Sequence, residues 1–254
     1  MKQGLQLQAR QDDEAIQPKI CVPLVGESAT ALRKQLKQGS KQSPEVFEWR
    51  VDYFEKIKNI KTVTKMAKDI NRKTKRPLLF TRRSEAEGGQ ATPLAEKEVV
   101  NLYEAVIKNK AVQGIDIELS QREKDIRHLQ GQAQEKGIDV VLSYHNFMET
   151  PPSEVLKEKI NNAVDLGADV AKIAVMPQSK ADVLKLLQVT EEMSREIPLP
   201  LISMAMGGDG MISRLAGGIF GSALTFASGS QSSAPGQLPL ADVEQVLRIL
   251  DRNM

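Results

Sequence analysis

The chain has 254 residues, 41% hydrophobic and 27% charged, a globular composition with enough apolar material for a full core. Its 35 basic and 33 acidic side chains leave a net charge of +2, which gives no support for a nucleic-acid surface. One cysteine and two histidines exclude a disulfide framework, a cysteine zinc site and a histidine-rich metal site, and they fit a reducing cytoplasm.

The apolar runs are all under ten residues, too short for a membrane span, and the opening MKQGLQLQARQDDEAIQ carries no secretory or transit signal. Strand-like runs fall at 19–25, 46–53, 77–82, 114–119, 139–147, 170–177, 200–206 and 218–226. Polar stretches with helical spacing lie between them, at 27–39, 94–109, 122–136, 153–167, 179–197, near 210–217 and at 240–253. About eight helices are expected, of which these seven have definable bounds. Eight βα units in about 250 residues predict an α/β chain folded as a single-domain (β/α)8 TIM barrel. The barrel is placed at 19–254, with polar residues 1–18 as a cap on its floor. A doubly wound open sheet is the alternative, but the turn VGESAT after the first strand lacks the Gly-x-Gly-x-x-Gly of a dinucleotide site.

Several strands have a face that does not look like packing. The second puts Glu48, Arg50 and Asp52 opposite Phe47, Trp49, Val51 and Tyr53. The fourth puts Asp116 and Glu118 opposite Ile115, Ile117 and Leu119. An exposed edge strand is one explanation; in a barrel the charged face is the lumen, where charge must be paired or used. The third strand ends in Arg82-Arg83-Ser84, then Glu87-Gly88-Gly89, a rim suited to holding oxyanions or hydroxyls. His145 sits near the productive end of the fifth strand, with a side chain suited to proton transfer near neutral pH. Lys172 stands alone in the apolar run VAKIAVM. Desolvation there favours the free amine that attacks a ketone. A Gly-rich turn, Gly207-Gly208-Asp209-Gly210, opens a helix as a candidate anion cradle, and the segment 232–237 is a candidate lid.

The ordered motifs resemble the type I 3-dehydroquinate dehydratases from about residue 19 to 250. They are Glu48-Trp49-Arg50-Val51-Asp52, Phe80-Thr81-Arg82-Arg83-Ser84 with Glu87-Gly88-Gly89, and Asp116-Ile117-Glu118. Then come Ser143-Tyr144-His145-Asn146-Phe147, Lys172-Ile173-Ala174, Ile212-Ser213-Arg214, Phe220-Gly221-Ser222 and Ser233-Ala234-Pro235-Gly236-Gln237. The resemblance implies a barrel, a homodimer, a small-molecule substrate and no metal or organic cofactor. It implies a hydro-lyase that converts 3-dehydroquinate to 3-dehydroshikimate and water through a lysine Schiff base, with elimination from one face. By motif position Lys172 is the imine-forming lysine, His145 the proton acceptor and donor, and Glu87 the support of His145. Glu48, Arg50 and Arg83 fall where hydroxyl and keto groups are held. Arg214, Ser233 and Gln237 fall on the carboxylate side or in the lid. Two positions depart from the pattern: Pro23 stands where some members have a serine, and Asn146 where many have an aspartate.

Two other readings compete. A class I aldolase would also use a lysine on the sixth strand, with phosphate on the Gly207–Gly210 turn; Arg214 and the 233–237 segment suit a carboxylate better. A non-catalytic sensor barrel would keep the pocket without the chemistry, which intact Lys172 and His145 argue against.

Overall fold

The computed structural model describes residues 4–11, 16–40, 42 and 44–253. Strands and helices alternate as β1 (Lys19–Leu24), α1 (Ala29–Gly39), β2 (Val46–Arg50), α2 (Ile60–Thr74), β3 (Leu78–Thr81) and α3 (Glu96–Lys108). They continue as β4 (Gly114–Glu118), α4 (Glu123–Lys136), β5 (Asp139–Asn146), α5 (Ser153–Asp165), β6 (Val170–Val175) and α6 (Lys180–Glu196). The last are β7 (Leu201–Ala205), α7 (Met211–Ala216), β8 (Leu224–Phe226) and α8 (Leu240–Asp251). All strand pairs are parallel, in the order β7-β6-β5-β4-β3-β2-β1-β8. The ring closes between β7 and β8, where the Ala223 N–H donates to the Leu201 carbonyl at 2.8 Å. Ser222 Oγ accepts from the Ser203 N–H at 3.1 Å beside it. This is the (β/α)8 barrel expected from the eight βα units.

The helices start and stop for local reasons. Ser28 caps α1 by accepting the Ala31 N–H, Asn59 caps α2, and Ser179 with Asp182 forms a reciprocal capping box on α6. The helix without definable bounds is α2. Its Val63, Met66, Ala67 and Ile70 are buried at i, i+3, i+4 and i+7, so the amphipathic period was there among β-branched and basic residues.

Two strands fall short of the expected bounds by three residues or more. The second strand stops at Arg50 and continues as a 3-10 turn over Val51–Tyr53, because Asp52 folds back to grip the Arg50 guanidinium at 2.9 and 2.8 Å. The eighth strand is only three residues long; Gly217–Phe220 forms a 3-10 turn instead. A side chain at Gly218 would strike the Ile16 carbonyl, and Gly221 takes φ +98°, so this glycine-rich run turns tightly against neighbouring chain.

Alternation along the strands builds the lumen in layers. The floor is apolar: Val46, Leu79, Val141, Val170, Ile202 and Leu224 pack with Cys21. Two residues further along each strand, on the same face, stand Glu48, Thr81, Asp116, Ser143, Lys172, Met204 and Phe226. Above those, at the C-terminal rim, stand Arg50, Arg83, Glu118 and His145. Pro23 fits β1 because the odd-numbered residues there face β8, as the Ala227 N–H to Cys21 carbonyl bond shows. That ladder ends at Cys21, so the N–H that proline lacks has no strand partner to lose.

We propose that residues 1–18 act as the barrel's cap; of these, 1–3 and 12–15 lie outside the described residues. Leu5 supports this reading. It is fully buried in the floor cluster, its N–H donates to Asp139 Oδ2 at 2.6 Å, and its side chain fills the space left by Gly114. Leu5→Ala is expected to cost about 2–5 kcal/mol in a urea titration. A loss under about 0.5 kcal/mol, the range of an ordinary surface change, would contradict the cap.

Candidate active site

The nine residues singled out from the sequence line one pocket at the strands' C-terminal ends. Glu48, Arg50, Arg83, Glu87, His145, Lys172, Arg214, Ser233 and Gln237 share its wall with Phe147, Met204, Met206 and Phe226.

Lys172 reaches the pocket from the middle of β6 and is 4% exposed. Its surroundings are not simply apolar. The ammonium donates to Asp116 Oδ2 at 2.8 Å, lies 3.9 Å from Glu48 Oε1 and sits 4.7 Å from the centre of the Phe226 ring. The lysine is therefore held in an ion pair, a different environment from the desolvated free amine expected from the sequence. Asp116 is fully buried, and its Oδ1 also accepts from Arg83 Nη2 at 2.7 Å and from Ser143 Oγ at 2.6 Å. Burial works to raise its pKa, but Arg83 and Lys172 overcome this and hold it well below the usual carboxylate range.

His145 enters from β5, one strand away. Glu87 comes to it from a 3-10 turn, Glu85–Glu87, capped by the Ser84 hydroxyl. Gly88 makes that approach sterically allowed: it takes φ +81°, and a side chain there would run into the Phe147 ring. Glu87 Oε2 accepts from the His145 backbone N–H at 3.1 Å and meets Nδ1 at 2.9 Å, while Ser120 Oγ donates to Oε1 at 2.9 Å. A carboxylate oxygen facing Nδ1 assigns the ring hydrogen to that nitrogen and leaves the Nε2 lone pair free. Burial, then Arg83 and Lys172, push the His145 pKa well below its ordinary value, so the ring is neutral near pH 7. Burial raises Glu87 to about 7.

The two rim arginines part company. Arg83 turns inward and touches Asp116, Glu118 and Ser143; Arg82 turns outward and donates to Thr92. Asp52 ties the rim together by gripping Arg50 and accepting the Arg83 and Gln90 backbone N–H groups. Asn146 does not touch the histidine. Its carbonyl oxygen accepts from the Met148 and Glu149 N–H groups, closing the turn after β5.

On the opposite wall Arg214 is 1% exposed. Its contacts are the Met204 sulfur at 3.4 Å and the Pro235 carbonyl at 3.2 Å, and its Nε has no partner. Burial alone lowers its pKa to about 10. The 232–237 segment lies over this wall. Ser233 and Gln237 bond to each other, and the Gly207 N–H donates to the Pro235 carbonyl at 3.2 Å, so that N–H of the candidate anion cradle is taken by the lid. Among the described residues no group of three His, Cys, Asp or Glu side chains is arranged to hold a metal ion, and no helix is long and apolar enough to cross a membrane.

The residue that the sequence reading left without a role is Asp116. It was visible as a lumen charge. Its pairing with Lys172 follows from register: Asp116 pairs with Val141 on β5, and Ser143, one pleat on, pairs with Lys172 on β6.

Residues 20–254 match the model of the type I 3-dehydroquinase family. The chain is 46% identical over 235 residues to the 3-dehydroquinate dehydratase of Geobacillus thermodenitrificans, covering 92% of this chain and 91% of that one. The crystal structure of the Geobacillus kaustophilus enzyme superposes with a TM-score of 0.93 at 43% identity, covering 99% of this chain and 96% of that one. The type I enzyme of Clostridium difficile, solved with covalently modified comenic acid, superposes with a TM-score of 0.90 at 37% identity over the full length of both. The chain belongs to the type I 3-dehydroquinase family, whose members are 3-dehydroquinate dehydratases.

Proposed function

We propose that this hydro-lyase works through a Schiff base on Lys172, with His145 moving both protons on one face of the substrate. The Lys172 amine adds to the C3 ketone of 3-dehydroquinate, and loss of water gives a protonated imine. The cationic nitrogen draws electrons from C2, so a neutral imidazole suffices to take the C2 proton. His145 then returns that proton to the C1 hydroxyl, which leaves as water. Hydrolysis of the imine releases 3-dehydroshikimate and frees the lysine. The observation that carries this reading is that Lys172 lines the same pocket as a neutral histidine from the adjacent strand, whose Nδ1 is anchored on Glu87. Proton transfer of this kind contributes about 10²–10⁴-fold. The covalent adduct in the Clostridium difficile relative supports a covalent course.

Arg214 is the carboxylate anchor in this scheme. Among the described residues this buried guanidinium has no acidic partner, so it is expensive to hold until an anion arrives and a forked charge-assisted bond forms. Ser233 and Gln237 lie in the loop that closes over that anion, while Glu48, Arg50 and Arg83 face the ring hydroxyls and keto oxygen. This favours the dehydratase over a sugar-phosphate aldolase. A homodimer in the cytoplasm completes the proposal. The free, buried Cys21 fits a reducing compartment, and the exposed Met148 and Leu184 offer apolar surface to a second copy.

Borohydride with 3-dehydroquinate is expected to add ligand mass to one peptide, the one containing Lys172. His145→Ala should still form that adduct while turning over about 10²–10⁴-fold more slowly. Labelling of another lysine, or near-normal turnover without His145, would sink the scheme.

Arg214→Met should raise KM for 3-dehydroquinate about 10- to 100-fold, the worth of a hydrogen bond to a charged group. The free protein should be no less stable, because an uncompensated buried charge is removed. An unchanged KM would take the carboxylate away from Arg214.

A further inference from the structure

We propose that Asp116 is the fixed counter-ion of the Lys172 nitrogen, holding one positive charge in place from the resting ammonium to the protonated imine. The inference rests on the imine reading above and adds a positioning residue to it.

The atoms balance without an extra proton. A lysine ammonium and a ketone give a protonated imine and water, with the charge unchanged. One proton leaves Nζ so that its lone pair can form the bond to C3. The departing oxygen takes two of the three ammonium hydrogens, and the third stays on nitrogen. The anion facing Nζ therefore meets a cation at the start and end of imine formation, and a neutral nitrogen only in between.

Asp116 is built for that task. Its Oδ2 lies 2.8 Å from Lys172 Nζ, and its Oδ1 is held by Arg83 and Ser143. The backbone is pinned as well: Tyr103 Oη donates to the Asp116 carbonyl at 2.6 Å and accepts the Arg82 N–H at 3.1 Å. A fully buried carboxylate with its second oxygen saturated can neither swing away nor take solvent as a partner. The other groups facing Lys172 do not duplicate it. Glu48 on β2 stands at 3.9 Å and accepts from Thr81, and Arg83 just after β3 and His145 on β5 offer no anion. Cys21 on β1 lies a layer below, its thiol pushed up by burial and so uncharged. Met204 on β7 and Phe226 on β8 carry no charge.

The test uses two substitutions with opposite signs, read as the pH dependence of borohydride-trapped adduct with 3-dehydroquinate. Asp116→Asn removes the anion, so the amine gives up its proton more readily and the trapping limb moves down by roughly 1–3 pH units. Turnover falls by on the order of 10²-fold, because the protonated imine has lost its counter-ion. Ser143→Ala removes a hydrogen bond from the charged carboxylate, which then draws the lysine protons more strongly; the limb moves up. Opposite shifts support the proposal. Shifts in one direction, or none in Ser143→Ala, overturn it, and the small Ser143 change keeps the test alive if Asp116→Asn does not fold. An unmodified enzyme that forms no adduct at any pH refutes the imine reading itself, whereas adduct with an unmoved limb in both variants refutes only the role of Asp116.

Discussion

The site depends on one guanidinium. Arg83 lies 2.7 Å from Asp116, 3.2 Å from Glu118 and 3.6 Å from Glu87, at the centre of a lumen that excludes water. Burial works against its charge, but Asp116, Glu118, Glu87 and Glu48 together hold it firmly protonated. Without that cation, three buried carboxylates would face each other in a low dielectric, and the cheapest outcome would be to protonate them. With it, Asp116 remains an anion for Lys172, and Glu87 remains close enough to orient His145.

The same arrangement divides labour between two kinds of charge. In the proposed scheme Lys172 and its anion form a pair that conserves charge as the substrate is captured. His145 is kept neutral by burial and by the cations beside it, which makes it a base at a pH where an exposed histidine is partly charged. Arg214 is the opposite case, a buried guanidinium with no acidic partner among the described residues. In the proposed scheme its cost to the empty enzyme is recovered as selectivity for a carboxylate ligand. The lid carbonyl at Pro235 is its only oxygen contact among the described residues, and a neutral carbonyl is a weak substitute for a charged group.

Most of the barrel was legible because parallel strands buried on both faces interrupt helices with a regular beat. Charges inside strands betrayed the lumen: Glu48, Asp116 and Lys172 have no business in a packing face. Three things were not legible. In α2 the buried Val63, Met66, Ala67 and Ile70 are interleaved with lysines and β-branched residues, which broke up the apolar stripe. The run 218–226 has strand composition, yet close approach of other chain at Gly218 and the positive φ of Gly221 turn its first half into a 3-10 turn. The ion pair between Asp116 and Lys172 spans two strand-to-strand steps, so it needed the barrel register before the two residues could be put together. Asn146 shows the converse: it departs from the family pattern right beside the histidine, yet its side chain closes the turn after β5.

The account stands on a histidine that is neutral, protonated on Nδ1 and anchored to Glu87 in the free enzyme. Nitrogen-15 NMR of the imidazole in protein labelled at histidine reads that state directly, with His145→Gln to assign the signal against His128. The account predicts that His145 gives the neutral Nδ1–H pattern at pH 7 and stays so well below pH 6.5. An imidazolium pattern for His145 at pH 7, or a hydrogen on Nε2 with Nδ1 bare, would leave the enzyme without its base and contradict the mechanism.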